Sequence, residues 1–360
     1  MKIGIVSYPG LWQRHGGLQV QIERTAAALR CLGVELKIVD LVNEKLGSYD
    51  LIHAFSAGHG MHVTLEEAKS QGVKVVLSPV LQPEPNLQKF YLYRFINWLA
   101  FQFSSNEIKT SYGQIRNSLK NADMIFSLSA LETGVITQGY KIPKEKTMVI
   151  PNGIDDHFFE THTVPLPSAL ANLQGYVFVA GSISDYKNQL GVIEATDRPV
   201  VLAGPAKSPG YLEKCMRAGG SRVHYAGMLD SKDPLLASLY AHAAVNVLAS
   251  YREAGPLCSV ESLACGTPAV VTEKNGLPLK AQAPLLQFVN SNDKGALKHA
   301  IEVAAQASPA ERAACRELVA DLRWSTVAKS ILPVYQNLVE PKNADFNLFQ
   351  QNLHNKLNTI

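Results

Sequence analysis

At 360 residues the chain is too long for one ordinary core and comfortable for two. With 46% hydrophobic and 18% charged residues it has the composition of a folded globular protein. A net charge of +3 with no long basic run argues against a nucleic-acid binder, which carries a concentrated basic face.

Lys2–Tyr8 reads as the first strand, too short and too soon interrupted by Pro9-Gly10 for a signal peptide. After a loop, Gly16-Gly17 opens a helix whose stripe is Leu18, Ile22, Ala26, Leu29 and Leu32. Gly33 ends it. Val34–Asp40 and Leu51–Phe55 are strands. Thr64 and Glu67 have capping-box spacing and set the start of the next helix; Gly72 closes it before the strand Val73–Pro79. Asp123–Leu128 is a strand followed by a second capping pattern, Ser129 with Glu132. Thr147–Ile150 runs into the turn Pro151-Asn152-Gly153. Prolines and the lack of a period put the domain boundary near 151–170. A second series of strands follows: Tyr176–Ala180, Pro199–Ala203, Arg222–Gly227, Ala244–Ala249 and Pro268–Thr272. Trp324–Val339 is the last helix, and a polar tail follows. Strands alternating with helices predict an α/β protein with two Rossmann-like domains, 1–155 and 156–340, and a tail at 341–360.

Gln88–Lys120 stands apart. It is rich in aromatic residues and carries Lys89, Arg94, Lys109, Arg116 and Lys120 against one acid, Glu107. It could rest on an anionic membrane face or grip a lipid-linked acceptor. Alternatively it forms two helices packed on the first domain, or a dimer face; apolar residues all round the helix favour packing. Its longest apolar run, around Phe95–Phe103, is far below membrane-spanning length. The five cysteines are odd in number and none has C-x-x-C spacing, which fits a reducing compartment. The expectation is a cytoplasmic protein, at most peripheral on the cytoplasmic membrane face.

The most informative stretch is R-E-A-G-P-L-C-S-V-E-S-L-A-C-G-T-P, Arg252 to Pro268, directly after a strand. Pro256 suits a first helical turn and Gly266 a helix end. Ligands in such sheets bind at the carboxyl ends of strands. The helix N-terminus at Leu257 and Cys258 offers N–H groups to an anion. Glu253 and Glu261 would repel a phosphate they touched, so they suit sugar hydroxyls flanking it. A nucleotide-sugar has that layout: hexose, diphosphate, ribose.

This stretch resembles the E-x7-E motif of glycosyltransferase family 4, retaining enzymes of GT-B fold, and Ala264–Val271 matches its usual continuation. The resemblance covers about residues 1–340. It implies two Rossmann-like domains facing across a cleft, the first binding the acceptor and the second the nucleotide-sugar, with the terminal helix returning toward the first. By resemblance Glu261 holds the ribose hydroxyls and Glu253 the donor hexose. His15-Gly16-Gly17-Leu18 is similar to the glycine-rich first loop that approaches the donor phosphates. Val179–Asn188 is similar to the phosphate-binding loop, in which Lys187 offsets diphosphate charge. Tyr225–Leu229, with Met228, is similar to the strand end bordering the base. There are departures. Ser182 stands where many relatives carry arginine. Ala254-Gly255 replaces the commoner Phe-Gly. The strand end at Ser78-Pro79 lacks the family's sugar-facing histidine, and His53 on the neighbouring strand is the substitute expected.

No D-x-D occurs, and His53, His59 and His62 lack companions at ligand spacing, so neither metal nor cofactor is expected. Cys258 and Cys265 read as small packing residues rather than nucleophiles. The resemblance implies hexosyl-type transfer from a nucleotide-sugar to a glycan or lipid-linked acceptor, as in surface-polysaccharide assembly. A nucleotide-sugar epimerase, a phosphorylase of the same fold and a non-catalytic binding subunit remain open. A dehydrogenase is disfavoured, since no G-x-G-x-x-G follows the first strand.

Overall fold

The computed structural model describes residues 1–13, 16–84, 86–104, 109–160 and 164–340. His15, Glu107 and the polar tail 341–360 lie outside the described residues. Contacts divide the chain into two compact units. The first holds Met1–Gly153, Gly276–Pro278 and the chain from Trp324 on; the second holds Ile154–Asn275 and Leu279–Arg323.

Among the described residues the first unit contains one six-stranded sheet. Its strands are β1 (Lys2–Val6), β2 (Glu35–Ile38), β3 (Leu51–Phe55), β4 (Lys74–Ser78), β5 (Met124–Ser127) and β6 (Thr147–Val149). Their order is β2-β1-β3-β4-β5-β6, and every pairing is parallel. Parallel strands need crossovers, which helices supply on both faces, so the central strands are apolar runs buried nearly end to end. The helices are α1 (Gly17–Cys31), α2 (Met61–Ser70), α3 (Lys89–Ser104), α4 (Ser111–Asn121) and the short α5 (Ala130–Gly134).

Three details differ from the sequence reading. The buried stripe of α1 is Gln21, Ile22, Thr25, Ala26 and Leu29, with Leu18 and Leu32 only half-buried. Helix α2 starts at Met61, because left-handed His59 and Gly60 turn the chain into it early; Thr64 is therefore helical rather than a cap. Ser129 does cap α5, but the Glu132 carboxylate accepts from the N–H groups of Leu81 and Leu128, both at 2.6 Å, instead of closing the capping box.

Helix α3 departs most. Only Phe90 is buried, among the rings of Tyr93, Tyr112 and Tyr140. Tyr91, Leu92, Phe95, Ile96, Trp98 and Phe103 are exposed, Phe103 to 86%. The helix leans on α4 by one narrow side, so it is not a core helix. No described helix is long and apolar enough to cross a membrane.

The second unit contains β7 (Val177–Ala180), β8 (Val200–Ala203), β9 (Val223–Tyr225), β10 (Val245–Leu248), β11 (Ala269–Thr272) and β12 (Leu286–Val289). Their order is β12-β11-β10-β7-β8-β9, again all parallel. Counted within the unit this is the doubly wound order 3-2-1-4-5-6, which reverses direction between β7 and β10. Its helices are α6 (Ser168–Ala171), α7 (Gln189–Ala195), α8 (Pro209–Gly219), α9 (Pro234–His242), α10 (Leu257–Ala264), α11 (Lys294–Ala305) and α12 (Pro309–Leu318). The final helix among the described residues, α13 (Trp324–Val339), belongs to the first unit and packs on α1.

Candidate functional site

In a doubly wound sheet two crossovers leave in opposite directions at the switch point, and the loops there part to form a crevice at the carboxyl ends of the strands. In the second unit those loops follow β7 and β10. They carry Gly181–Asn188 and Ala249–Pro256, which include both elements singled out from the sequence.

The loop after β7 is held on several sides. Gly181 N–H donates to Ala203 O at 2.8 Å and Ile183 N–H to Pro205 O at 2.9 Å. Buried Gln189 donates to Ser182 O at 2.9 Å. Asn188 is left-handed, turning the chain into α7. Gly204, at the end of β8, has φ +136°, and a Cβ there would lie 2.2 Å from Gly181 O. Only glycine lets the two strand ends meet this closely. The pattern extends one strand further, since Gly204 N–H donates to Gly227 O at 2.8 Å. Strands β7, β8 and β9 thus each run out through Ala-Gly, at 180–181, 203–204 and 226–227. That repeat was the signal by which sequence reasoning could have found Gly204.

The loop after β10 is zipped to the loop after β7. Tyr251 N–H donates to Tyr186 O at 3.1 Å, and the Tyr186 hydroxyl donates to Arg252 O at 2.8 Å. Lys187 Nζ donates to Glu253 Oε1 at 2.5 Å. Burial alone would lower the Lys187 pKa, but the Glu253 carboxylate outweighs it and the ammonium ends above its usual range. Glu253 is fixed from the other side by its N–H to Lys274 O. Pro256 stands just before α10 rather than in its first turn, and the first helical residues, Leu257 and Cys258, are half-buried beside half-buried Gly255. Burial pushes the Cys258 thiol up to about 12, so it is a neutral neighbour of the pair and not a thiolate nucleophile.

Glu261 sits one turn into α10. The fully buried Tyr240 donates its hydroxyl to Glu261 Oε2 at 3.1 Å. The Tyr240 ring is wedged edge-on against Phe178 and Phe158, which locks the donor in place. Tyr240 and Tyr186, both missed in the sequence, set the carboxylate and the loop. Isolated tyrosines give no sequence signal for such work.

The structure therefore gathers Ser182, Lys187, Glu253, Gly255, Leu257, Cys258 and Glu261 around one switch point. Met228 lies apart, exposed after left-handed Gly227 at the end of β9. In the first unit Gly16 and Gly17 are exposed at the start of α1, and a side chain on Gly16 would meet open space.

His53 and Ser78 require correction as sugar-facing groups. His53 is 1% and Ser78 4% exposed. Ser78 Oγ lies 2.9 Å from Nε2 of His53, and the Tyr335 hydroxyl of α13 lies 2.6 Å from Nδ1. One ring nitrogen donates and the other accepts, so the neutral imidazole is fully satisfied. Burial holds its pKa down to about 3. A strand covered on both faces leaves His53 no route to solvent; it is a core histidine.

Residues 168–306 match the family model Glycosyl transferases group 1. A D-inositol 3-phosphate glycosyltransferase of Nocardiopsis dassonvillei is 36% identical over a match covering 39% of this chain and 33% of the relative. The chain thus aligns with about a third of the length of the curated relative it matches. Among solved structures, Anabaena HepE in complex with UDP superposes with a TM-score of 0.69 at 17% identity, covering 94% of this chain and 100% of that one. Sucrose-phosphate synthase from Thermosynechococcus elongatus gives 0.69 at 17% identity, covering 95% and 100%. The chain thus has the GT-B fold of these structures. The part that matches the glycosyl transferases group 1 model, residues 168–306, holds the whole β7–β12 sheet and its switch point.

Proposed function

We propose that the chain transfers a sugar from a nucleotide-sugar to a hydroxyl of a glycan or lipid-linked acceptor, with retention at the anomeric carbon and without a metal ion. One observation carries this reading. Lys187, Glu253, Glu261 and the N-terminus of α10 converge at the switch point of the unit that matches the group 1 family. The solved structure of HepE holds UDP, which supports a nucleotide donor here.

Lys187 and the first N–H groups of α10 would meet the diphosphate, Glu261 the ribose hydroxyls and Glu253 the sugar. In the transfer, the bond from the anomeric carbon to the diphosphate oxygen breaks. The bond to the acceptor oxygen forms on the same face of the sugar, and the acceptor proton ends on the leaving diphosphate. Lys187 and the helix N-terminus then stabilise the charge that develops as the diphosphate departs. The exposed aromatic face of α3 suits peripheral contact with an anionic membrane, and hence a lipid-linked acceptor in polysaccharide assembly.

The test is a thermal-shift and nucleotide-release screen with UDP-, GDP- and ADP-sugars in the presence of EDTA. A nucleotide-sugar should raise the melting temperature. Release should depend on acceptor, and proton NMR should show the donor's anomeric configuration retained. Lys187→Ala should cut turnover by about a hundredfold or more; a near-normal rate would remove the role given to that lysine. Ser182, in place of a cation, favours one second reading, a binding subunit without catalysis. A donor that stabilises the protein but is never consumed would support it.

A further inference from the structure

Lys187 and Glu253 have separate tasks in the reading above, yet here they hold each other. Their side chains are 21% and 11% exposed, so this is not a solvated surface pair. Two more hydrogen bonds, from Tyr251 N–H to Tyr186 O and from the Tyr186 hydroxyl to Arg252 O, join the same two loops. The ion pair is the innermost of these contacts, with Cys258 beside it.

We propose that Glu253 discriminates between intact donor and spent nucleotide by competing with the diphosphate for Lys187. This rests on the donor site proposed above and adds a role at that site. A diphosphate can engage Lys187 fully only by drawing it from Glu253. The carboxylate then stays in a largely desolvated position without its cation, which is costly. An intact nucleotide-sugar compensates, because its sugar brings hydroxyl donors to Glu253 while its phosphates take Lys187. A nucleoside diphosphate brings only the phosphates. Both ligands meet the same lysine, and only one re-satisfies the carboxylate. Once the sugar has been transferred, Glu253 loses its hydroxyl partners and recaptures Lys187. That weakens the hold on the nucleotide and favours its release.

Glu253→Gln tests this, since the amide keeps the shape and removes the charge. Titration calorimetry on the full chain would use UDP, GDP and ADP, each beside its glucose conjugate, with melting curves to verify the fold. For the nucleotide that wild type prefers, the diphosphate should bind the variant about tenfold more tightly, equivalent to 1.4 kcal/mol. The sugar conjugate should gain less or lose affinity, so the preference for conjugate over diphosphate falls. Glu253→Asp, which keeps the charge on a shorter arm, should give a smaller gain and covers the case of a misfolded amide variant. An unchanged or weakened diphosphate affinity, or equal gains for both ligands, would overturn the inference and leave the donor site standing. Failure of wild type to bind any of the six nucleotides would overturn both.

Discussion

Replacing Gly204 with alanine probes the frame of the site rather than its chemistry. The new Cβ would lie 2.2 Å from Gly181 O and 2.6 Å from its carbonyl carbon, both backbone atoms that no rotamer change can move. The loop after β7 would have to withdraw by about 1 Å, and packing strain of that kind costs about 1–3 kcal/mol. The backbone angle adds its own strain, since φ at Gly204 is +136°, a region L-residues rarely adopt. Together these predict a loss of about 4 kcal/mol in the second unit and displacement of Ser182–Lys187. Gly220→Ala is the control. It shares the unit and has φ +55° with ψ −133°, a backbone region that also strains L-residues, but its Cβ would meet nothing within 4 Å, so only the backbone strain of about 1–3 kcal/mol applies. Calorimetric unfolding of wild type and both variants gives the stabilities, and titration with UDP, GDP and ADP gives nucleotide affinity. If Gly204→Ala costs no more than Gly220→Ala, the close approach of the two strand ends is not what holds the loop.

Tyr335→Phe removes the hydroxyl facing His53 Nδ1 and should cost about 1–3 kcal/mol of first-unit stability in urea; a cost under about 0.5 kcal/mol would mean that nitrogen has another partner. His53 has a folded pKa near 3, below its unfolded 6.5. Its contribution is therefore fully present above pH 6.5 and is lost as pH falls toward 3, because the unfolded chain takes up the proton first. Urea midpoints across that window should flatten in His53→Gln, and an unchanged profile would refute the assignment. Glu132→Gln turns an NH2 toward one of two backbone N–H donors and should cost about 2 kcal/mol, read by first-unit unfolding. Trp98→Ser with Phe95→Ser should weaken co-sedimentation with vesicles containing phosphatidylglycerol by about tenfold or more, given some 1.5–3 kcal/mol for each large apolar side chain withdrawn from water. Equal sedimentation of variant and wild type would count against α3 as the contact.

Much of the architecture was legible because parallel strands buried on both faces are short apolar runs between turn signals. Trp324–Val339 was read to the residue, since its apolar period and the tail after it are both sharp. Strand β12 was missed because Gln287 interrupts its four residues. The start of α2 was misread because left-handed His59 leaves no composition signal, whereas a capping box does. At the site, Glu253 and Glu261 were legible as a spaced motif, and Lys187 through the resemblance of Val179–Asn188 to a phosphate-binding loop. Their pairing was not, because Lys187 and Glu253 lie 66 residues apart and meet through chain crossing. His53 failed for a related reason: it lies in the middle of β3 rather than at its end, and its ring is met by Tyr335, 282 residues away.

That distant tyrosine bears on synthesis. The first unit takes α13 from residues made after the second unit, and there α13 covers α1 and Tyr335 closes on His53. While the ribosome is still making residues up to Arg323, the sheet of the first 153 residues lacks that cover, although all its strands have already been translated. The second unit, Ile154–Asn275 with Leu279–Arg323, is complete earlier. Synthesis thus completes the residues of the second unit before those of the first, against the usual N-terminal-first order. The first unit gains the cover over α1 and the partner of His53 only once Trp324–Val339 has been made.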